Sequence, residues 1–472
     1  MEQSVKIQKK GLEDIISLTS MQELMLFNYL KSPLDSAYHE VLKLEISGEI
    51  NDNYFKQAWL NVIYTYPTLR TCFRWKKLKK PVQLILKELL PDIKVFDLIK
   101  LNEVLKESEN NKIIESYCKK IFDLEYIPFR IVLIKYDENL SHLYIMNHHI
   151  LMDGWSTRIV ISHFFKDYYQ LLSQLDIRVE KEQSFKCYVK YLQNQHEEEL
   201  VKYWSSYLKD YKHVARVEAD FSENISAKIS KDKEYVLEFS ESFSDKINSI
   251  VKKEHVSVLS FIHSIWGIIL ARINDTNDVV FGSVISDRPS EILNIEKCVG
   301  LFINTIPERV TVKPGQIFRD LVNTIHIQSI KKKEFQSYPL FHIQKLSSLK
   351  NNLFDHLIEF SNYPKENLST QVSEKIKNSN QELGVEKINF SSQNTFNFDI
   401  LASFDKNLKL IFRYNSKIHK DSYVSFLVKN FKSLINQVIA SFEIPINNLK
   451  LDYEYKSLKK LGNRESNMNF NF

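Results

Sequence analysis

The chain has 472 residues, of which 43% are hydrophobic and 26% are charged, a balance typical of a globular protein. Its 64 basic and 59 acidic side chains leave a formal charge of +5, which by itself favours neither nucleic acid nor a membrane surface as a partner. No apolar run approaches the ~18 residues of a membrane-spanning helix, and the polar start MEQSVKIQKK lacks the apolar segment of a signal peptide. These features predict a cytoplasmic protein, and 9 glycines in all disfavour a Gly-rich phosphate cradle.

The length predicts two lobes, because a single hydrophobic core rarely serves more than roughly 250–300 residues. We place them at 1–180 and 181–472. Strand-like and helix-like patterns alternate along both lobes, which predicts α/β or α+β sandwiches.

The first predicted element is a helix starting at Ser20, where Ser20 and Glu23 form an S-x-x-E capping box ahead of an apolar run. A second helix, over 53–66, ends at Pro67. Apolar periodicity predicts the remaining elements of this lobe: strands over 69–75, 129–136 and 142–147, and a helix over 156–172. The Gln- and Glu-rich stretch 175–199 is predicted to join the lobes.

The second lobe repeats this mixture. Strands are predicted over 235–239, 279–285, 302–312, 354–360, 396–403 and 408–414, and helices over 256–273, 317–331 and 421–441. The polar end of the chain, 459–472, is predicted to be loose.

The densest group of reactive side chains is the segment NHHILMDGWS, 147–156, between a predicted strand and a predicted helix. Neighbouring side chains on a strand point to opposite faces, so His148 and His149 cannot both serve one site. We expect one of them to face the interior and hold the turn, and the other to face a cleft. Gly154 opens the helix, where backbone N–H groups can face an anionic oxygen.

Three plainer explanations compete for this segment. One is a structural histidine. Another is a metal site made of His148, His149 and Asp153, which the opposed strand faces and the absence of HExxH spacing disfavour. The third is a helix cap by Asp153, which is compatible with a function. A GxSxG nucleophile motif, a GxGxxG motif, a P-loop and a CxxC pair are all absent from the sequence.

The string HHxxxDG at 148–154 resembles the signature of condensation domains of nonribosomal peptide synthetases and, more loosely, of chloramphenicol acetyltransferase-like acyltransferases. Other segments resemble further condensation motifs, in the family's order and over about residues 13–455. They are LTSMQELMLF (18–27), LRTCF (69–73), YWSSYL (203–208), VFGSVISDRP (280–289), VGLFINT (299–305), YPL (338–340) and NYP (362–364). Together these matches are specific to the condensation domain family.

The resemblance implies a V-shaped pair of chloramphenicol acetyltransferase-like lobes with a central tunnel, and carrier proteins that dock at both mouths. The implied reaction is attack by an acceptor amine on a donor thioester, each carried on a phosphopantetheine arm. No metal or permanently bound cofactor is implied. The implied partners are the donor and acceptor carrier proteins and neighbouring synthetase domains, with no nucleic acid and no membrane, and the chain is expected to be a monomer.

The resemblance also assigns roles to single residues. His149 is expected at the reaction centre, as a base or a positioning group, and Gly154 is expected to offer an N–H to the oxyanion. His148 is expected to be structural. Asp153 is expected to pair with Arg288 of the SDRP segment, and Arg70 of the LRT segment is the alternative partner. Candidates for the walls of the tunnel are Trp155, Ser156, Ser286 and Asn304.

The sequence departs from the family pattern at a few positions, including Leu24, Asn28, Asp287 and Ser361. Cyclisation domains carry DxxxxD in place of HHxxxDG, and epimerisation domains usually carry an EGHGRE-like segment that is absent here. The segments LTSMQELMLF, HHILMDGWS and NYP favour a donor that ends in a D-configured residue. Two other classes stay open: a freestanding acyltransferase with a soluble amine or alcohol acceptor, and a non-catalytic docking scaffold.

Overall fold

The computed structural model describes residues 11–32, 38–88, 90–180, 182–217, 232–360, 383–391 and 396–451. The predicted loose end and the NYP segment lie outside these residues. The strands are β1 (Leu12–Ser17), β2 (His39–Ser47), β3 (Thr71–Arg74), β4 (Val82–Leu86), β5 (Asp92–Asp97), β6 (Phe129–Lys135), β7 (Leu140–His148), β8 (Asp232–Glu238), β9 (Asp278–Ser286), β10 (Ile303–Thr311), β11 (Leu357–Phe360), β12 (Gly384–Ser391), β13 (Phe398–Phe404) and β14 (Leu408–Asn415). The helices are α1 (Ser20–Lys31), α2 (Asp52–Thr65), α3 (Glu103–Ile113), α4 (Gly154–Leu172), α5 (Lys186–Gln193), α6 (Glu197–Tyr207), α7 (Glu241–Lys253), α8 (Val258–Ile273), α9 (Phe318–Lys332), α10 (Leu340–Leu346) and α11 (Asp421–Ala440).

The chain forms two compact units that are not continuous in sequence. The first contains the described residues of Met1–Gln195, Ser286–Ile303 and Pro364–Gln393, and the second contains the rest. The predicted single boundary at residue 180 therefore differs from these units. One physical reason is that β12 extends the first unit's sheet, pairing antiparallel with β2 from Gly384 opposite Ser47 to Ser391 opposite Val41.

The first unit has a mixed five-stranded sheet in the order β12-β2-β7-β6-β5 and a smaller sheet in the order β1-β4-β3. Helices α2 and α4 pack together through apolar faces. Trp59 of α2 stacks on Phe164 of α4 with ring centroids 4.5 Å apart, and both side chains are buried. Strand β7 is the middle strand of the larger sheet, so its C-terminal end is fixed on both sides where the chain turns toward α4.

The second unit has a six-stranded sheet in the order β10-β9-β11-β13-β14-β8. Its core contains α8, most of whose residues are buried, with Trp266 stacked near Phe398 of β13 and Phe431 of α11. The alternation of helices and strands predicted for this half is present. Among the described residues no single helix is long and apolar enough to cross a membrane. The helices α7 and α8, bent by 101° to each other, reach the required length and apolar composition only when taken together.

Several predicted boundaries are corrected by local hydrogen bonds. The cap of α1 is Thr19 with Gln22, one residue before the predicted pair, because the Thr19 hydroxyl accepts the Gln22 N–H and the Gln22 side chain accepts the Thr19 N–H. The stretch predicted as a linker over 175–199 contains α5 and the start of α6. The strand predicted over 69–75 is shorter, because Pro67–Arg70 forms a 3-10 turn.

Candidate active site

The HHxxxDG segment forms a tight turn between β7 and α4. The His149 N–H donates to the Tyr38 carbonyl over 2.7 Å, and the Leu151 N–H donates to the His148 carbonyl over 3.0 Å. The buried side-chain amide of Gln22, on α1, donates to the Ile150 carbonyl over 2.9 Å. The turn is therefore held by backbone bonds and by one side chain of α1 whose supporting role was not predicted.

The orientation of the His149 ring is fixed by its Nδ1 atom, which lies 2.9 Å from the Met152 carbonyl oxygen. A carbonyl oxygen can only accept, so Nδ1 carries the proton and donates it. In the neutral ring the lone pair then lies on Nε2. The side chain of His149 is 21% exposed, so His149 is the histidine of the pair that keeps a solvent-facing edge.

A carboxylate that the sequence analysis did not single out lies beside this ring. Glu40 Oε1 is 3.6 Å from His149 Nε2, and Glu40 Oε2 accepts a hydrogen bond of 2.8 Å from the Asn147 side chain. Glu40 is 4% exposed and lies opposite Asn147 in the β2–β7 ladder. The sequence does contain a signal for it: in HEVLKLEIS every second residue is buried, and Glu40 stands in the register of Leu42 and Leu44.

His148 faces the interior. It is 3% exposed, its ring lies 6.1 Å from that of Tyr29 and 5.8 Å from that of Tyr38, and its Nδ1 accepts the Ile150 N–H over 3.1 Å. Burial, with a smaller contribution from the two neighbouring histidines His149 and His39, lowers the pKa of His148 to about 3. His148 is therefore a neutral structural acceptor at physiological pH.

We expect His148 to make the protein less stable in mild acid. The imidazole stays neutral in the folded state but takes up a proton at about pH 6.5 when unfolded, so the free energy of unfolding falls as the pH drops from about 6.5 toward 3. The contribution of this one group has a slope of at most about 1.4 kcal/mol per pH unit. Urea unfolding at several pH values should show a shallower acid slope for His148→Gln than for the wild type, and equal slopes would contradict the assignment.

Asp153 caps helix α4 and also receives bonds from elsewhere in the first unit. Its Oδ1 accepts the Ser156 N–H over 2.8 Å and lies 3.3 Å from Arg288 Nη2, and its Oδ2 accepts the Phe302 N–H over 3.0 Å. Asp153 is 1% exposed. The ion pair predicted between Asp153 and Arg288 is thus present, and the cap that was considered as an alternative is present with it.

Arg288 connects the segment 286–303 to the start of α4. Its Nη1 donates to the Ile295 and Cys298 carbonyls over 2.7 and 2.8 Å, and its Nη2 donates to the Ser156 hydroxyl over 2.9 Å. The guanidinium also lies 3.9 Å from the centroid of the Phe302 ring. Arg288 therefore fixes the loop that carries Asp153.

Arg70, the alternative partner of Asp153, has a different place. Its Nη1 lies 2.6 Å from Glu13 Oε2 and donates to the Leu86 carbonyl, and its Nε donates to the Ile63 carbonyl. It is buried and joins α2 to the small sheet. Arg70 is a structural residue, as predicted, but not one that pairs with Asp153.

The structure separates the four tunnel candidates into different environments. Ser156 is completely buried and its hydroxyl donates to the Gly300 carbonyl over 2.8 Å, so it is a structural contact and not a wall for substrate. The indole N–H of Trp155 donates to the Glu296 carbonyl, and Ser286 is exposed at the end of β9. Asn304 belongs to the second unit, where its buried amide donates to the Gln336 and Tyr338 carbonyls.

Gly154 is the first residue of the 19-residue helix α4, so its backbone N–H has no acceptor within the helix. Its proposed contact with an oxyanion stays a prediction. Among the described residues no group of three or more His, Cys, Asp or Glu side chains could hold a metal ion.

Solved structures with similar folds include condensation domains. The starter condensation domain of rhizomide synthetase superposes with a TM-score of 0.73 at 15% identity over 93% of this chain and 100% of that one. The first condensation domain of the CDA synthetase gives a TM-score of 0.70 at 14% identity over 94% of this chain and 100% of that one. The fold is therefore that of a condensation domain, the mixed α/β fold shared with chloramphenicol acetyltransferase-like proteins.

The sequence comparison identifies the family. The model named Condensation domain matches residues 12–458, so the chain belongs to the condensation domain family of nonribosomal peptide synthetases. Tyrocidine synthase 2 of Brevibacillus parabrevis is 27% identical over 97% of this chain and 13% of its own length. Gramicidin S synthase 2 of Brevibacillus brevis is 31% identical over 75% of this chain and 8% of its own length. The chain thus spans about an eighth or less of these two curated relatives.

Proposed function

We propose that this chain joins a donor acyl or peptidyl thioester to the amine of an acceptor aminoacyl thioester, both carried on the phosphopantetheine arms of carrier proteins. The observation that carries the proposal is the geometry of His149. Its Nδ1 is bonded to the Met152 carbonyl, so the lone pair of the neutral ring lies on Nε2, and the side chain as a whole is partly exposed. The resemblance of the whole chain to condensation domains supports the choice of substrates.

The reaction follows from what an oriented imidazole can do. The acceptor amine attacks the thioester carbonyl, a C–N bond forms, and the amine proton passes to His149 Nε2. Collapse of the tetrahedral intermediate breaks the C–S bond, and the departing thiolate takes up a proton. An α-amine with a pKa near 8 and an imidazole with a pKa near 6.5 are close enough for this transfer as the bond forms. Holding both tethered reactants in place supplies roughly 7–11 kcal/mol more.

Reconstitution with separate carriers tests this proposal against a soluble acceptor. The purified chain is incubated with a donor-loaded carrier and either an aminoacyl-loaded carrier or the same amino acid free in solution, and products are identified by mass. We expect an amide product on the acceptor carrier and little or none with the free amino acid. Equal rates with both acceptors would favour the freestanding acyltransferase, and no product from any acceptor across a panel of donors would favour the docking scaffold.

The donor configuration is a finer prediction. The segments LTSMQELMLF, HHILMDGWS and NYP favour a donor whose last residue is D-configured. Equimolar D- and L-terminated dipeptidyl donors of one sequence, loaded on the same carrier, should give mainly the D-derived product when they compete. A clear excess of the L-derived product would overturn this prediction and leave the reaction itself unaffected.

A further inference from the structure

We propose that Glu40 is a positioning residue for His149, whose carboxylate orients the imidazole and stabilises the imidazolium that forms when Nε2 accepts the proton of the acceptor amine. The inference deepens the proposed function and rests on it for the identity of the proton donor. It concerns a side chain outside the HHxxxDG motif, on a different strand.

The tautomer of His149 decides which nitrogen accepts a proton. The Met152 carbonyl, 2.9 Å from Nδ1, can only accept a hydrogen bond, so Nδ1 carries a proton in both the neutral and the charged ring. Protonation of His149 therefore means protonation of Nε2. This is the nitrogen that Glu40 Oε1 approaches to 3.6 Å.

The carboxylate of Glu40 acts on His149 through its charge. The distance of 3.6 Å between Glu40 Oε1 and His149 Nε2 is slightly longer than a normal N–H···O hydrogen bond. While the imidazole is neutral, Glu40 therefore acts on it only electrostatically. Glu40 is 4% exposed and screened little by solvent, and an opposite charge at this distance favours the protonated form of an imidazole. A proton arriving on Nε2 turns the contact into a charge-assisted pair.

The side chain of Glu40 is itself held in place. Its Oε2 accepts the Asn147 amide over 2.8 Å, and Glu40 and Asn147 are paired across the β2–β7 ladder. A carboxylate fixed between two central strands cannot follow the imidazole if the loop moves. Glu40 therefore sets the place of His149 as well as its charge.

The other titratable groups around the turn do not supply this charge. His148 on β7 is neutral above about pH 3, and His39 on β2 lies opposite it in the ladder, facing Phe122. Asp153 at the start of α4 is paired with Arg288. Tyr38, whose hydroxyl bonds the Asn28 amide, has a pKa raised by burial and stays neutral.

The test is Glu40→Gln, which keeps the shape and an oxygen for Asn147 but removes the charge. Glu45→Gln is the matched control, because Glu45 lies on the same strand with its side chain 25% exposed and paired with Lys43. In protein labelled with ¹⁵N-histidine, we expect His149 to titrate about 1 pH unit lower in Glu40→Gln than in the wild type and the control. Its Nδ1–H tautomer should be unchanged, because the Met152 contact remains.

The rate of amide formation should change in parallel. Because the free imidazole is the active form, the acid limb of the pH–rate profile should move to lower pH by the same amount in Glu40→Gln, and the plateau should fall because the base is weaker. Glu40→Asp, which keeps the charge at a greater distance, should give a smaller shift and recover part of the rate. It also provides a second variant if Glu40→Gln folds poorly.

The outcomes separate the two proposals. An unchanged titration of His149 in folded Glu40→Gln overturns the role of Glu40, whether or not the protein makes product. A lower titration point in a protein that makes no product supports the role of Glu40 and counts against the proposed reaction. A lower titration point together with a shifted acid limb supports both.

Discussion

His149→Ala should reduce amide formation by about 10²–10⁴-fold, the usual contribution of a positioned general base. The variant removes Nε2, the one ring nitrogen not committed to the Met152 carbonyl. Product should still form slowly, because the loop and the tethered substrates still bring amine and thioester together. The measurement is a single-turnover assay at saturating carrier concentrations, which reports the chemical step.

The matched control is His196→Ala, an exposed histidine at the start of α6 that makes no side-chain capping bond. We expect wild-type turnover from it. Thermal unfolding of both variants is measured alongside to show that His149→Ala is folded, because its loss removes the partner of the buried Met152 carbonyl. Turnover of His149→Ala within a few-fold of the control would remove His149 from the reaction centre. It would leave the loop as a structural feature.

The largest effect on stability should come from Asp153. Asp153→Ala should lower the free energy of unfolding by about 3–5 kcal/mol, because it leaves the buried charge of Arg288 without its partner. It also removes the cap of α4 and the acceptor of the Phe302 N–H. Urea unfolding followed by circular dichroism gives the value, and a loss below about 1 kcal/mol, the level of a surface pair, would contradict the buried pairing.

The coupling between the two charges is measured by a double-mutant cycle. Asp153→Ala combined with Arg288→Ala should lose less than the sum of the single losses by about 1–3 kcal/mol. The coupling is not expected to be complete, because Arg288 also bonds the Ile295 and Cys298 carbonyls, which Asp153 does not touch. The same cycle on the exposed pair of Glu109 and Lys112 serves as the control and should give about 0.5 kcal/mol or less.

Sequence patterns predicted best what depends on short-range periodicity. The expectation that neighbouring side chains point in different directions correctly gave His148, the last residue of β7, a buried environment and His149 a partly exposed one. The helical spacing of Phe55, Trp59 and Ile63 correctly gave the buried face of α2. The pairing of Asp153 with Arg288 came from the resemblance, because the two residues are 135 positions apart in sequence and no local pattern connects them.

Contacts between distant segments were missed for the same reason. Glu40 was overlooked because β2 was not predicted as a strand, so its buried register could not be seen. Another buried carboxylate, Glu308 of β10, pairs with Lys332 of α9 and lies 3.4 Å from His263 of α8. Burial alone would raise the pKa of Glu308, but the charge of Lys332 and the His263 bond lower it to about 2. Such a cluster depends on three elements meeting in the folded unit.

The one-residue error at the start of α1 arises where two capping patterns overlap in the sequence. Both Thr19-x-x-Gln22 and Ser20-x-x-Glu23 satisfy the capping pattern, and the sequence does not rank them. In the structure the cap uses Gln22, whose buried amide also donates hydrogen bonds to the Ile150 carbonyl and to Gln83. The first residue of α1 therefore depends on a tertiary contact, between Gln22 and the turn that joins β7 to α4.

Transfer of mass between two carrier proteins tests the central claim most directly. A donor carrier loaded with one acyl thioester and an acceptor carrier loaded with one aminoacyl thioester are mixed with the chain, and the intact masses of both carriers are followed over time. We expect the donor carrier to return to its free thiol while the acceptor carrier gains the mass of the acyl group, and we expect His149→Ala to slow both changes together. Loss of the acyl group from the donor without a matching gain on the acceptor, or gain at the same rate with His149→Ala, would contradict it.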